Sequence, residues 1–126
     1  MKSKYNNKKV TYDNLQFDSK KERDRYIELK LLEKAHEISN LQCQVEIELL
    51  PPLREPDTIG KRGGIKKGKT IENAVKYIAD FVYFDRRANK TVVEDVKSEA
   101  TKTDVYIVKR KLFKHIYKEY LFNEYK

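Results

Sequence analysis

The most informative stretch of the sequence is residues 75–98, VKYIADFVYFDRRANKTVVEDVKS. Aromatic and β-branched residues dominate both ends of this stretch, at positions 75–84 and 91–98, and this composition favours strands. The polar residues between them, at 85–90, favour a turn. The stretch therefore predicts an antiparallel β-hairpin.

The register of this hairpin determines which side chains meet across it. We expect the hairpin to close about its midpoint, with Phe84 opposite Thr91. The same register places Asp80 directly opposite Asp95. A slip of one residue would put the two carboxylates on opposite faces, so the prediction depends on the register.

The opposed pair of Asp80 and Asp95 predicts a metal site. Directly opposed like charges destabilise a sheet. On its own strand, Asp80 shares its predicted face with Ile78, Val82 and Phe84, an apolar neighbourhood in which a lone carboxylate would be costly. A divalent cation bound by both carboxylates would offset the repulsion, and Mg²⁺ suits a few carboxylate oxygens together with waters.

Lys97 adds a third member to this constellation. It lies one pleat from Asp95 on the same face, whereas Glu94 points to the other face. A metal-bound water beside a phosphate, with an ammonium to activate it or to offset developing charge, is an arrangement for phosphodiester hydrolysis. The alternative is an edge strand with ordinary solvated charges, but the valines within residues 92–96 favour a central strand.

The elements around the hairpin complete the order α-β-β-β-α-β. Ser19-Lys-Lys-Glu22 has the form of a capping box, which opens a helix, and Pro51-Pro52 ends the strand that follows it. The first predicted helix runs from Ser19 to about Asn40, and the strands lie at 41–50, 75–84, 91–98 and near 119–123. The second predicted helix begins at Thr101 or Thr103 and ends at about Tyr117. Its predicted apolar stripe consists of Val105, Val108, Leu112 and Ile116. This order predicts a single domain of the α/β (α+β) class, with a mixed central sheet flanked by helices.

Glu22 has two possible roles. As the last residue of the capping box it would bond back to the start of the helix, which explains its presence without any function. It also lies on the helix face that carries Tyr26 and Leu29, which should pack on the sheet near Asp80. Glu22 is therefore either a helix cap or a further member of the metal site, and both roles stay open.

The charge of the chain is unevenly distributed. Its 126 residues carry 28 Lys and Arg against 20 Asp and Glu, a net charge of +8. The surplus lies in a basic N-terminal arm at 1–14, a predicted mobile basic loop at 52–72 and the last helix. Clustered cations favour a DNA partner through counterion release, although a basic protein can also simply be soluble. The candidate DNA-binding residues are Lys61, Arg62, Lys66, Lys67, Lys69, Lys109 and Lys111.

Other chemistries find less support in the sequence. Cys43 is the single cysteine, which excludes an internal disulfide and favours a small buried hydrophobe over a nucleophile. His36 and His115 have no partner at metal-ligand spacing, and the glycine-rich loop lacks the spacing of a P-loop. Without a long apolar run or a signal peptide, we expect a cytoplasmic protein with no membrane partner.

Together these motifs resemble the PD-(D/E)XK nuclease superfamily, and in particular small phage-encoded proteins assigned to it. The resemblance covers roughly residues 15–123. It rests on Ala79-Asp80, then fourteen residues, then Asp95-Val96-Lys97, within the wider text Ser19-x-x-Glu22, Leu41-Gln-x-Gln44, Tyr77-x-Ala-Asp-Phe-x-Tyr83 and Val93-Glu-Asp-Val-Lys97. The position that gives the superfamily its Pro is Ala79 in this chain, a departure that leaves the metal ligand untouched.

The resemblance implies a restriction-endonuclease-like core and Mg²⁺- or Mn²⁺-dependent cleavage of DNA. Asp80, Asp95 and Glu22 would bind metal, and Lys97 would help activate water. Compact members of the superfamily include Holliday-junction resolvases, which implies a homodimer acting on branched DNA, in the cytoplasm of a bacterial host if the chain is phage-encoded. Two alternatives stay open: a DNA-binding protein that keeps the fold without catalysis, and an RNA-binding accessory protein.

Overall fold

The computed structural model describes residues 9–126, so the first eight residues of the predicted N-terminal arm at 1–14 lie outside the described part of the chain. The helices are α1 (Lys20–Lys34) and α2 (Asp104–Ile116), and a 3-10 turn spans Glu99–Thr101. The strands are β1 (Val10–Tyr12), β2 (Leu15–Phe17), β3 (Ile38–Leu50), β4 (Leu53–Arg54), β5 (Thr58–Ile59), β6 (Ile65–Lys66), β7 (Thr70–Glu72), β8 (Val75–Asp85), β9 (Lys90–Val96) and β10 (Leu121–Tyr125).

A four-stranded sheet with the strand order β10-β9-β8-β3 forms the centre of the molecule. The β10–β9 pair is parallel, and the other two pairs are antiparallel. Val92 packs in the core cluster of α1 and Val93 in that of α2, so the two helices cover opposite faces of the sheet. The prediction of a mixed central sheet flanked by helices is confirmed.

The predicted hairpin register is confirmed as well. Phe84 pairs with Thr91, and the ladder between β8 and β9 continues in that register to Phe81 and Glu94. The expected apolar neighbourhood of Asp80 is only partly present. Ile78 is 56% exposed, because it pairs with Glu46 on a part of the sheet that neither core cluster includes.

The first helix ends earlier than the sequence pattern predicts. It stops at Lys34 rather than near Asn40, and His36 adopts a φ of 63°, which turns the chain into β3. Ile38 then packs from the strand, not from the helix, against the core cluster of α1. Burial of one apolar side chain against the sheet therefore overrides the helical period at this end.

The second helix packs through a different face from the one predicted. Val105, Val108 and Ile116 are exposed, whereas Tyr106 and Phe113 are buried. Phe113 lies among aromatic rings, with its ring centroid 6.1 Å from that of Tyr77, and a large ring buries more area than a valine does. The prediction of the apolar stripe was wrong except at Leu112, which packs partly on the core.

Residues 53–72, called the basic arm below, form a narrow β-hairpin rather than an irregular loop. A ladder between β4 and β7 lies next to the central sheet, and a ladder between β5 and β6 lies farther along the arm. Neither α1 nor α2 has the length and apolar character of a membrane-spanning helix.

Candidate active site

The candidate site lies where the N-terminus of α1 approaches the end of β9. A cleft of about 260 Å³ opens there, and Glu22, Asp80 and Lys97 are among the side chains that line it. The structure thus brings three of the four predicted catalytic side chains to one open cleft. The fourth, Asp95, is only 2% exposed and lies behind this lining.

Backbone and side-chain donors hold Asp80 in place. Its Oδ2 accepts a hydrogen bond of 2.8 Å from the backbone amide of Val96. Its Oδ1 lies 3.4 Å from Nε2 of Gln44. One oxygen of Asp80 is thus well satisfied, and the other is only weakly engaged on the side of the cleft.

Asp95 is buried and incompletely satisfied. Within residues 9–126, its Oδ2 has no hydrogen-bond partner, although Nζ of Lys97 forms an ion pair with it at 3.3 Å. Burial raises the pKa of Asp95 well above its usual range, and the adjacent Asp80 raises it further by hydrogen bonding and by charge. Lys97 opposes both effects without cancelling them. An oxygen that accepts no hydrogen bond and is contacted only by an ammonium could also serve as a ligand for a metal ion.

Lys97 is held at both its backbone and its side chain. It follows β9 directly, and its amide donates a 2.9 Å hydrogen bond to the carbonyl of Tyr125 at the end of β10. Its Nζ lies 4.7 Å from the centroid of the Tyr106 ring, a cation–π contact. The predicted strand at 91–98 was therefore two residues too long, but Lys97 still lies on the side of Asp95.

Glu22 lies in the first turn of α1, and its carboxylate faces the candidate site. Its amide donates to Oγ of Ser19 at 3.2 Å, which is the cap of α1, and its carboxylate accepts a 2.8 Å hydrogen bond from Nε2 of Gln44. Burial raises the pKa of Glu22 to about 7, assisted by repulsion from Asp80 and Asp18 and opposed by hydrogen bonds from the Asp18 backbone and Gln44. Capping of α1 therefore does not explain why the carboxylate of Glu22 is buried close to that of Asp80.

Gln44 lies between the carboxylates of Glu22 and Asp80, and the sequence did not predict it as a site residue. Its Nε2 contacts both Glu22 and Asp80. Its backbone φ of 52° is strained for a non-glycine residue in the middle of β3. A polar residue that alternates with apolar ones in a strand gives no signal that separates it from an ordinary solvent-facing residue.

Glu94 is a third buried carboxylate, after Asp95 and Glu22, and its burial was not predicted from the sequence. It points away from Asp95, as predicted, but it is fully buried under α1. Arg25 grips it with two bonds of 2.7 and 2.8 Å, and Tyr83 and Asn123 each donate to its Oε1 at 2.8 Å. This network ties α1, which carries Glu22, to the strand that carries Asp95.

The remaining candidate residues do not join this site. Lys61, Arg62, Lys66, Lys67 and Lys69 are all exposed along the basic arm, and Lys111 is exposed on α2, where Lys109 is half-buried. His36 and His115 are exposed. Cys43 packs partly against the core of α1, and burial raises its pKa to about 11, which makes it a poor nucleophile.

Among the side chains that the structure describes, which are those of residues 9–98 and 100–126, no group of three or more His, Cys, Asp or Glu is arranged as a preformed metal cage. A two-carboxylate site remains compatible with the geometry, because Mg²⁺ commonly takes one or two protein carboxylates and keeps several waters. Asp80 and Asp95 are the residues that could provide it, with Glu22 held nearby through Gln44.

A family model described as "Protein of unknown function (DUF1064)" matches residues 2–124. The chain belongs to this DUF1064 family. The match spans the residues of the candidate site and of the basic arm. No curated protein and no solved structure matches the chain.

Proposed function

We propose that this DUF1064 protein is a metal-dependent endonuclease that hydrolyses DNA phosphodiester bonds on a PD-(D/E)XK-type core. The observation that carries the proposal is the buried Asp95 beside Asp80. Its Oδ2 lacks a hydrogen bond within the described residues, and burying an unsatisfied carboxylate is costly unless a cation binds it. Asp80 lines a cleft that also contains Lys97, and Asp95 is buried directly behind it, so the cleft combines carboxylates with an ammonium, a set of groups suited to hydrolysis of a phosphate diester.

Asp80 and Asp95 would hold one Mg²⁺ or Mn²⁺. When bound, the cation lowers the pKa of a coordinated water and offsets negative charge on the phosphate. The residues fit such an ion because Asp95 Oδ2 accepts no hydrogen bond from the described residues and is contacted only by the Lys97 ammonium at 3.3 Å, and because the Oδ1 atom of Asp80 is only weakly engaged. The hydrogen bond from the Val96 amide keeps the other Asp80 oxygen in a fixed orientation.

Lys97 supplies the positive charge that hydrolysis needs next to the carboxylates. The Tyr106 ring and the β10 backbone hold it, so its ammonium is positioned before substrate arrives. We assign it to orienting and activating the attacking water or to stabilising charge as the phosphate reacts. Glu22, oriented by Gln44, would complete the site on the side of α1.

The basic arm and α2 would provide the DNA-binding surface, through Lys61, Arg62, Lys66, Lys67, Lys69, Lys109 and Lys111. Their exposed or half-exposed cations can contact phosphates without reading sequence. This favours structure-selective cutting, as in Holliday-junction resolvases, by a homodimer in the cytoplasm. The second candidate function is a catalytically silent DNA-binding protein, favoured by the absence of a preformed three-ligand metal cage among the described residues.

One cleavage assay separates these two functions. Supercoiled plasmid, linear duplex and a four-way junction are incubated with the protein in Mg²⁺, Mn²⁺ or EDTA. We expect metal-dependent cutting that Asp95→Asn or Lys97→Ala lowers at least about 100-fold, because losing even an outer partner of a metal site costs up to that factor. Lys90→Ala, an exposed lysine at the opposite end of β9, serves as the matched control and should cut normally.

Two results would count against the enzyme. Binding of DNA without cutting in any metal would support the silent binding protein instead. Equal cutting by wild type and Asp95→Asn would show that the reaction does not use this site.

A further inference from the structure

The far end of the basic arm is a compact, closed turn. β5 and β6 pair there, and the amide of Gly60 donates a 2.7 Å hydrogen bond to the carbonyl of Gly64. The amide of Gly63, whose φ is 84°, donates in turn to the carbonyl of Gly60 at 2.9 Å. Lys61 and Arg62 therefore sit at the tip of an ordered turn.

Two isoleucines flank this tip and have almost no covering within the described part of the chain. Ile59 and Ile65 are directly paired across the ladder, so their side chains lie together on one face of the arm. They are 80% and 77% exposed, more than any other large apolar side chain that the structure describes. Exposed, adjacent apolar side chains of this kind indicate a binding surface.

The positive charge around this isoleucine pair favours a polyanion as the binding partner. Lys61 and Arg62 lie in the adjoining turn, and Lys66 is paired with Thr58 on the opposite face of the same ladder. The nearest acid along this end of the arm, Asp57, already accepts a hydrogen bond from the amide of Gly68 at 2.9 Å. A ligand that combines phosphates with apolar faces a short distance apart is a nucleic acid whose bases are partly unstacked.

Contacts nearer the base of the arm tie its two strands to each other. The amide of Glu55 donates to the carbonyl of Lys69 at 2.9 Å, which closes the strands between the two ladders. A Cβ at position 68 would collide with the carbonyl of Glu55, so only glycine permits this close approach. The isoleucines are thus presented on a tied hairpin, narrow enough to enter a DNA groove as a β-ribbon does.

We propose that Ile59 and Ile65 form a wedge that packs against an opened base step of DNA, while Lys61 and Arg62 hold the flanking phosphates. The proposal rests on the proposed function and deepens it, since it names the preferred substrate as DNA with a branch or another site of weakened stacking. Apolar side chains that enter between base steps unstack them at a cost that is lowest where stacking is already interrupted.

The test uses 2-aminopurine, a base whose fluorescence rises when it is unstacked. The base is placed at the branch of a four-way junction or at the matching position of a linear duplex, and the protein is added in EDTA to prevent cutting. We expect wild type to raise the fluorescence of the junction more than that of the duplex. The double variant Ile59→Thr/Ile65→Thr, which keeps β-branched residues, should retain less than about half of this rise and bind the junction about 10-fold more weakly.

A matched control is available within the same arm. Ile71 is also an exposed isoleucine, but it lies in β7 at the base of the arm, and Ile71→Thr should behave like wild type. The salt dependence of binding should stay unchanged in the double variant, because no phosphate-contacting cation is lost. The circular dichroism spectra of both variants should match that of wild type, since each substitution is on the surface.

The possible outcomes separate the wedge from the proposed function. If wild type binds and cuts DNA but the double variant unstacks the probe equally well, the wedge is wrong and the nuclease stands. If Ile71→Thr loses as much as the double variant, the contact is not at the tip, and the wedge is also wrong. If wild type neither binds nor cuts DNA, the proposed function falls first. Binding of anionic lipid vesicles that depends on Ile59 and Ile65, without any effect on the probe, would assign the tip to a membrane surface instead.

Discussion

Two neighbouring carboxylates on opposite faces of β9 differ in how completely their charges are compensated. Glu94 and Asp95 are adjacent, and both are buried. Glu94 receives two bonds from Arg25 and further bonds from Tyr83 and Asn123, so its charge is fully compensated. Asp95 faces a second carboxylate and keeps an oxygen without a hydrogen bond from the described residues. The first arrangement stabilises the fold, whereas the second leaves a buried oxygen that only the Lys97 ammonium contacts, which supports the proposed metal site.

The difference between Glu94 and Asp95 can be tested by replacing each carboxylate in turn with the neutral amide. Glu94→Gln removes the buried charge with which the half-buried Arg25 pairs, and although Arg25 keeps its 2.9 Å ion pair with Glu28, the free energy of unfolding should fall by about 3 kcal/mol, the lower end of the cost of breaking a buried pair. Asp95→Asn removes a repulsive charge and should leave the free energy of unfolding unchanged or raise it by about 1 kcal/mol. Urea unfolding at neutral pH without divalent metal measures both changes.

The double change of Arg25 and Glu94 serves as the control for this prediction. Arg25→Met/Glu94→Gln should lose less than the sum of its two single variants, because the partners form one unit. A stability loss in Asp95→Asn as large as that in Glu94→Gln would mean that the two faces do not differ.

Glu124 is a second example of a compensated carboxylate, and its contribution to the free energy of unfolding should depend on pH. Glu124 on β10 is paired with Asp95 in the sheet, but it has three donors of its own. Burial alone would raise the pKa of Glu124, yet hydrogen bonds from Lys102, Tyr106 and Arg110 outweigh it and lower the pKa to about 2. Since the folded-state pKa lies below the ordinary value of 4.5, the unfolded chain binds the proton first as the pH falls.

Glu124 therefore contributes stability that is fully present above about pH 5 and is lost between about pH 5 and 2, by roughly 2–3 kcal/mol. Urea unfolding of wild type and Glu124→Gln at pH 7, 5 and 3 isolates this contribution as the difference between the two proteins. We expect that difference to be largest at pH 7 and to shrink at pH 3. A difference that stays constant with pH would contradict the compensated state of Glu124.

The smallest expected effect concerns the link between the two sides of the site. Gln44→Ala releases Glu22 and Asp80 from their shared donor and should weaken Mg²⁺ binding about 10-fold, the lower end of what an outer partner contributes. Isothermal titration with Mg²⁺ measures this affinity. Gln42→Ala, a glutamine two positions away on the same strand, is the matched control, and an equal loss in that variant would exclude a specific role for Gln44.

The sequence was sufficient for the hairpin and for the residues opposed across it. A period of two and a polar turn determine the register locally, so the pairing of Phe84 with Thr91 could be predicted without knowledge of the rest of the fold. Glu22 could be placed over the sheet for a similar reason, since the helical period relates it to Tyr26 and Leu29.

The compensated carboxylate could not be predicted, because its partners are distant along the chain. Arg25 and Asn123 reach Glu94 from α1 and β10, and no local pattern around Glu94 in the sequence indicates such partners. The packing face of α2 was missed for a related reason. The helix offers two apolar stripes, and only the aromatic neighbours supplied by other elements select the one with Phe113.

The hydrogen bond from the Lys97 amide to Tyr125 has a consequence for the order of events during synthesis. Asp80 and Asp95 emerge on a local hairpin that can close early, but the strand that anchors Lys97 follows only after α2 has been made. A nascent chain therefore carries its carboxylates before its lysine is in place. The proposed catalytic site would therefore be complete only after the parallel strand β10 has paired with β9.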